Sequence, residues 1–327
     1  VGGNTYYYRV GVIKGGSETI GKEQRLFAGD FTLVIASRDN TLKKIDSDGN
    51  EIWSFTGHTA RVNSVSIGSD NSIYSGSADD TVKKIDSSGN LVWTSNAGER
   101  IWAVVKDLNN GYVYVGLQNG AIKKIDSDGN EVTSGGWPFT EHTSYIRHLD
   151  VDPDGYVYSA SNDEKVRKID SSGNEVWIFA GHTYAVNSVN VDFNNGYVYS
   201  TGGYSDETVR KLNISDGSEV TSGGWPFSIH STRVRDSAID SNGYVYSVSW
   251  GGSIRKIDSN GNEVTSGGWP FTGHTGRITS VDIDSNGNVY SGSFDNTVKK
   301  IDSSGNEVWT FSEHTDYVYS VSVYQGY

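Results

Sequence analysis

The sequence predicts an all-β fold, a seven-bladed β-propeller of four-stranded antiparallel blades, and three observations predict it. The clause "TVKKIDSSGNEVWTF" (297–311) recurs at 81–95 and, altered, at 165–179. Aligning its basic-basic-apolar centre gives seven units, at Ile45, Ile85, Ile125, Ile169, Leu212, Ile257 and Ile301, spaced 40 to 45 residues apart. The composition, with 40 Gly, 10 Phe and no Met, suits turns and short strands better than a helical core.

Each unit reads as four strands, as in "VNSVSI", "SIYSGSA", "TVKKID" and "NLVWTS" between Val62 and Ser95. Short runs of Val, Ile, Tyr and Thr punctuated by Asp, Asn and Gly are hairpin material. The "DSSGN"-type turns place Gly49, Gly89, Gly129, Gly173, Gly261 and Gly305 where a positive φ is needed. Antiparallel four-stranded units at this period are the mark of a propeller. The first unit, starting near Leu33, lacks an innermost strand, whereas the last is followed by a spare one at about Val318 to Tyr324. The expected closure puts that C-terminal strand into the first blade, which removes open edges. Residues 1–30 do not fit the repeat, so the organisation expected is an N-terminal segment, 1–30, and a propeller, 31–327.

One tryptophan per unit, at Trp53, Trp93, Trp137, Trp177, Trp225, Trp269 and Trp309, is expected to pack against the neighbouring blade. In three units it lies in "TSGGWPF", at 133, 221 and 265. Proline donates no ladder hydrogen bond, so this strand is expected at the exposed outer edge, with the insert bulging at the rim.

Composition narrows the function. A formal net charge of −13 argues against nonspecific nucleic-acid binding, which needs a basic face. The absence of cysteine removes disulfides, thiolate metal sites and a cysteine nucleophile. No apolar run is long enough for a membrane-spanning helix, so no membrane insertion is expected.

"GHTARVNSV" (57–65), "GHTYAVNSV" (181–189) and "GHTGRITSV" (273–281), followed by segments such as "SGSADDTV", resemble WD-repeat propellers, although Ile stands where the WD dipeptide has tryptophan. "IDSSGNEVW" is similar to the docking repeat of pyrroloquinoline-quinone propellers. "NTYYYRVGVIKGG" (4–16) resembles a late strand of a fibronectin type III module. That last resemblance, with Val1 in place of a starting Met, implies a piece of a longer secreted, cell-surface or virion protein.

The WD resemblance implies that His58, His142, His182, His230, His274 and His314 serve a structural network with Ser or Thr and the Asp of the following turn. Histidines at blade spacing lie too far apart for one metal, and His148, outside the pattern, reads as a satisfied histidine. A five-residue "DSDGN" turn cannot supply the ligands of a calcium loop. The basic pairs, Lys43-Lys44 to Lys299-Lys300, alternate faces and are expected to reach between blades toward Asp and Glu. By the same WD analogy, Arg61, Arg100, Tyr145, Ala185, Arg233, Arg277 and Tyr317 surround the channel mouth as an Arg and Tyr collar. Trp102, Tyr204 and Trp250 break the repeat and make one sector asymmetric. Arg and Tyr are favoured interface residues; the alternative is local pairing of the arginines with Asp39, Asp79, Asp163, Asp206 and Asp295.

No convergent nucleophile, base and orienter stands out. The quinone-propeller resemblance covers only docking repeats, and the chain lacks the cysteines for the adjacent-cysteine disulfide common in those enzymes. The expectation is therefore a non-catalytic module without a cofactor, mediating protein assembly in a surface or virion setting. The alternative is a glycan- or receptor-binding head. Ligand or partner binding at the collar would use Arg61, Arg100, Tyr145, Arg233, Arg277, Tyr317, Trp102 and Trp250, as the head predicts, whereas structural assembly predicts contacts along the rim or side, at the "TSGGWPF" segments.

Overall fold

The computed structural model describes residues 31–325 and, before them, four short strands. Tyr6–Tyr8 pairs with Gln24–Leu26, and Gly11–Lys14 pairs with Ser17–Ile20. The rest of residues 1–30 lies outside the described residues, and the fibronectin-like reading of 4–16 falls partly there.

Residues 31–325 form seven antiparallel sheets arranged as blades. Blade 2 is representative: Val62–Ile67, Ile73–Ser77, Thr81–Ile85 and Leu91–Asn96 pair in sequence order from the channel outward. Blade 1 is closed as expected, because Val318–Gln325 supplies its innermost strand and pairs with Phe31–Ser37. Blade 5 keeps three regular strands, and its outer position is held by bridges from Glu219 to Leu212 and Phe227 to Val209.

Hydrophobic clusters lie at the seven junctions between blades, as where Tyr114 and Ile122 of blade 3 meet Ile146, Leu149 and Val157 of blade 4. Each blade thus buries its faces against its neighbours. The tryptophans close these junctions. Every one of the seven donates its indole N–H to a backbone carbonyl in a turn of the next blade, from Trp53 to Ser87 (3.1 Å) around to Trp309 and Ser47 (3.0 Å). Two kinds of contact surround this bond. In blades 1, 2, 4 and 7 the indole lies over the next turn's glycine: a Cβ on Gly129, at φ +90°, would meet Trp93 at 2.9 Å. In blades 3, 5 and 6 the "TSGG" insert lies backbone to backbone on that turn, with Gly136 N–H donating to Ser172 at 2.7 Å. The insert therefore docks on the next blade instead of bulging at the rim. Trp137, Trp225 and Trp269, each followed by a cis peptide bond, are 4% exposed and not an open edge.

The basic pairs divide their work. Outside blade 2, where Lys83 reaches Thr94, the first residue of a pair reaches a glutamate of its own blade, as Lys123 does to Glu131 at 2.7 Å. The second, Lys84 apart, crosses to the next blade, where it meets a turn carbonyl and not the carboxylate expected: Lys124 Nζ lies 3.0 Å from Ser171 O, and 4.0 Å from the ring centroid of Tyr112 on its own blade.

Candidate functional site

The collar forms where each connection from an outer strand enters the next innermost strand. Its backbone is uniform. The carbonyls of Arg61, Arg100, Tyr145, Ala185, Arg233, Arg277 and Tyr317 each accept an N–H from the turn after their blade's second strand, at 2.8 to 3.1 Å. This bond sets a variable turn residue (Arg38, Gln118, Asn162, Trp250 or Phe294 among them) beside each collar residue.

The side chains on that backbone fall into two arcs. In the first, Arg61 lies over Trp102 (4.9 Å) and Tyr319 (5.6 Å), and Trp102 stacks on Tyr145 at 5.9 Å and 12°. Tyr319 also meets Phe294, which stacks on Tyr317 at 4.1 Å, with Arg38 5.3 Å from the Tyr317 ring. In the second, Trp250 lies under both Arg277 (4.1 Å) and Arg233 (4.7 Å), and Tyr204 bridges Trp250 to Tyr184. Arg100 is exposed and stands apart. Arginine over an aromatic face keeps its N–H groups free at the ring edge while the ring offsets its charge. The indole N–H groups of Trp102 and Trp250 and the Nε of Arg61 and Arg233 are buried without a hydrogen-bond partner.

The collar arginines do not pair with the five aspartates considered. Those carboxylates serve the histidines. His58 Nδ1 meets Asp79 at 2.9 Å and its Nε2 meets Ser75 at 2.8 Å, and His142, His182 and His274 repeat the pattern. Burial opposes the Asp79 charge, but hydrogen bonds from Thr81, Thr59 and His58 outweigh it and hold the pKa at about 2. Two copies are incomplete. His230 has Ser247 but faces Gly251 in place of an aspartate, and burial, then Arg255, brings its pKa to about 3. His314 has Asp39 but Ile35 stands at the serine position.

Below the collar the channel holds residues that sequence reasoning, apart from Trp102 and His148, passed over. Two positions into the innermost strands, the seven blades carry Asn63, Trp102, Arg147, Asn187, Arg235, Thr279 and Tyr319. A cavity of about 230 Å³ is lined by these residues and, deeper, by His148, Asp150, Asp236 and Asp282. The deep carboxylates stitch blades together: Asp150 accepts from Val191 N–H (2.8 Å), Asp236 from Val281 (3.1 Å) and Asp282 from Val323 (2.8 Å), all on the next blade. Burial, with Asp236 and Asp150 adding, still raises Asp282 to about 7. His148, read as merely satisfied, bonds the Val189 carbonyl of the next blade at 2.9 Å and also lines this cavity. Among the described residues no group of three or more His, Asp or Glu is placed to hold a metal ion. The signal that could have found the channel positions was in the sequence: seven near-identical repeats carry different side chains there.

The comparisons agree with this architecture. A family model for the outer membrane protein assembly factor BamB matches residues 18–147. The model for the WD domain, G-beta repeat, matches 136–170, 173–211 and 269–302. No curated protein matches the chain. Ring, docking turns and histidine network together make this chain a WD-repeat-like seven-bladed β-propeller with docking repeats similar to those of the pyrroloquinoline-quinone propellers.

Proposed function

We propose that the chain is a non-catalytic interaction module that engages a partner protein through its collar face, within a longer secreted, cell-surface or virion protein. Propellers with WD- and BamB-like repeats commonly serve protein interactions. The observation that carries the assignment to the collar is the concentration of aromatic and arginine side chains there. Tyr145, Tyr184 and Tyr204 are 36%, 43% and 47% exposed and ring the mouth beside Trp102, Trp250 and Arg277. Large side chains with few rotatable bonds and a polar tip supply interface energy at low entropic cost.

The competing site is the outer edge, where Ile52, Val92, Val176 and Val308 are about half exposed. A photo-crosslinking amino acid at Tyr204, compared with one at Val92 in the native assembly, separates the two. Cross-links from position 204 that disappear in a Trp102→Ala, Trp250→Ala variant are expected. Cross-links from position 92 alone would overturn the collar assignment, and capture of a glycan instead of a protein at 204 would favour the glycan-binding head.

A further inference from the structure

The collar is interrupted at blade 5. Where five of the other blades carry Arg61, Arg100, Tyr145, Arg233 and Arg277, this blade carries Ala185, and two positions deeper it carries Asn187. Both are buried, 3% exposed, so this blade sends no long side chain into the channel, and Asn187 lines the cavity between its neighbours. Three arginines stand around it. Arg147 comes from blade 4, and Arg233 and Arg235 come from blade 6. Arg147, Asn187 and Arg235 line the channel cavity, and the exposed rings of Tyr184 and Tyr204 stand at its rim, with Tyr204 5.1 Å from the Arg233 guanidinium.

None of the three arginines has an ion-pair partner among the described residues, although Asp236, next to Arg235 on its strand, offsets part of that charge. Arg147 spends Nε and Nη2 on the amide oxygen of Asn162 (3.1 and 2.7 Å), and Arg233 spends Nη2 on that of Asn187 (2.8 Å). Both partners are neutral. Arg235 has no hydrogen-bond or ion-pair partner among the described residues, and no carboxylate pairs with Arg147 or Arg233 there. Burial, followed by Arg233 and Arg147, lowers the Arg235 pKa to about 9; burial, followed by Arg233, lowers that of Arg147 to about 10. At neutral pH all three remain cations, close enough to disfavour one another. Arg233 is buried and Arg147 and Arg235 are part-buried; like charges held together there without an ion-pair partner cost stability, and an anion that completes the cluster relieves that cost.

We propose that this recess over blade 5 is a carboxylate pocket, in which Arg147, Arg233 and Arg235 receive an Asp or Glu side chain from an acidic segment of the partner protein. This rests on the collar-face reading and names its chemistry. The free fork of Arg235 matches the two oxygens of one carboxylate. A monoanion also suits a protein of net charge −13, with Asp236 on the same strand, better than a dianion or polyanion does. The tyrosine rim would pack on the apolar part of the entering segment.

Thermal unfolding tests the pocket with acetate as the probe, against inorganic phosphate and against chloride at matched ionic strength. Acetate is expected to raise the wild-type Tm saturably by about 1–2 °C over chloride. The gain should vanish in Arg235→Gln and return in part in Arg235→Lys, which restores charge without the fork. In chloride, Arg235→Gln should melt at or above the wild type, because an uncompensated cation has been removed. An equal acetate effect in wild type and Arg235→Gln, a lower Tm for Arg235→Gln in chloride, or a larger gain from phosphate than from acetate would each overturn the proposal. The Tyr204 cross-link separates it from the reading beneath. In an Arg147→Gln, Arg235→Gln variant, cross-link yield at limiting protein should fall about tenfold or more. An unchanged yield sinks the carboxylate pocket and leaves the collar interface standing, whereas no cross-link in the wild type sinks the interface while the acetate result still decides the pocket.

Discussion

The tryptophan belt and the collar are built on the same sevenfold backbone and obey opposite rules. In the belt, seven identical side chains make one identical bond, an indole N–H to the next blade's turn. In the collar, seven equivalent carbonyls accept the same backbone bond, yet the side chains they carry are Arg, Tyr or Ala. Belt residues are paired; several collar atoms, including the indole N–H groups of Trp102 and Trp250, are buried and unpaired. The contrast teaches that repetition is kept where it holds the ring and lost at the channel mouth, where the proposed partner would dock.

The comparison is broken most severely at the belt. Trp137→Ala removes a side chain 4% exposed together with its bond to Ser171, and should cost about 3–5 kcal/mol in urea unfolding. The same change at half-buried Trp93 should cost distinctly less, which would confirm that the "TSGG" blades bury their indoles more deeply. Gly136→Ala comes next. Its Cβ would collide with the Gly173 carbonyl oxygen, which no side-chain rotation relieves, so a loss of about 1–3 kcal/mol is expected. Equal stability to the wild type would show that this backbone docking is dispensable.

The histidine network gives an effect that depends on pH. His230 is held neutral, its pKa brought from 6.5 to about 3, and burial also lowers His58, His142 and His182. A base with a lowered pKa is protonated first in the unfolded chain. Its stabilisation is therefore present above about pH 6.5 and is lost as pH falls toward 3. Gly251→Asp, whose Cβ would sit 3.2 Å from the Thr232 hydroxyl, supplies the missing carboxylate. The stability lost between pH 7 and pH 5 should shrink by about 1 kcal/mol; an unchanged loss would mean that His230 does not engage the new carboxylate. The smallest effect belongs to the collar: exposed Arg277→Ala should change stability by no more than about 0.5 kcal/mol while weakening partner binding. A large destabilisation there would remove the distinction between belt and collar.

Much of this was legible before any coordinates. Periodicity gave seven blades, and the unpaired strand at the C-terminus gave the closure that Val318–Gln325 makes with Phe31–Ser37. The positive-φ turn glycines are where the "DSSGN" clause puts them, at φ +87° to +93°. The collar positions Arg61, Arg233 and Arg277 were named by alignment, and their aromatic partners Trp102 and Trp250 by their departure from it. The placement of "TSGGWPF" was misread, because proline at an edge is a property of one strand, whereas the docking of Gly136 on Ser172 depends on the following blade.

What the sequence determined by itself is the repeat: local turn chemistry, strand alternation and one tryptophan per unit specify a blade, and seven of them specify a ring. What only the tertiary structure decided is which groups from different blades meet. Arg147 and Arg235 are 88 positions apart, and nothing local to either one shows that both line one cavity together with Asn187. The physical reason is that a propeller's channel is assembled from one strand per blade, so its chemistry is set by neighbours in space that the chain never places side by side.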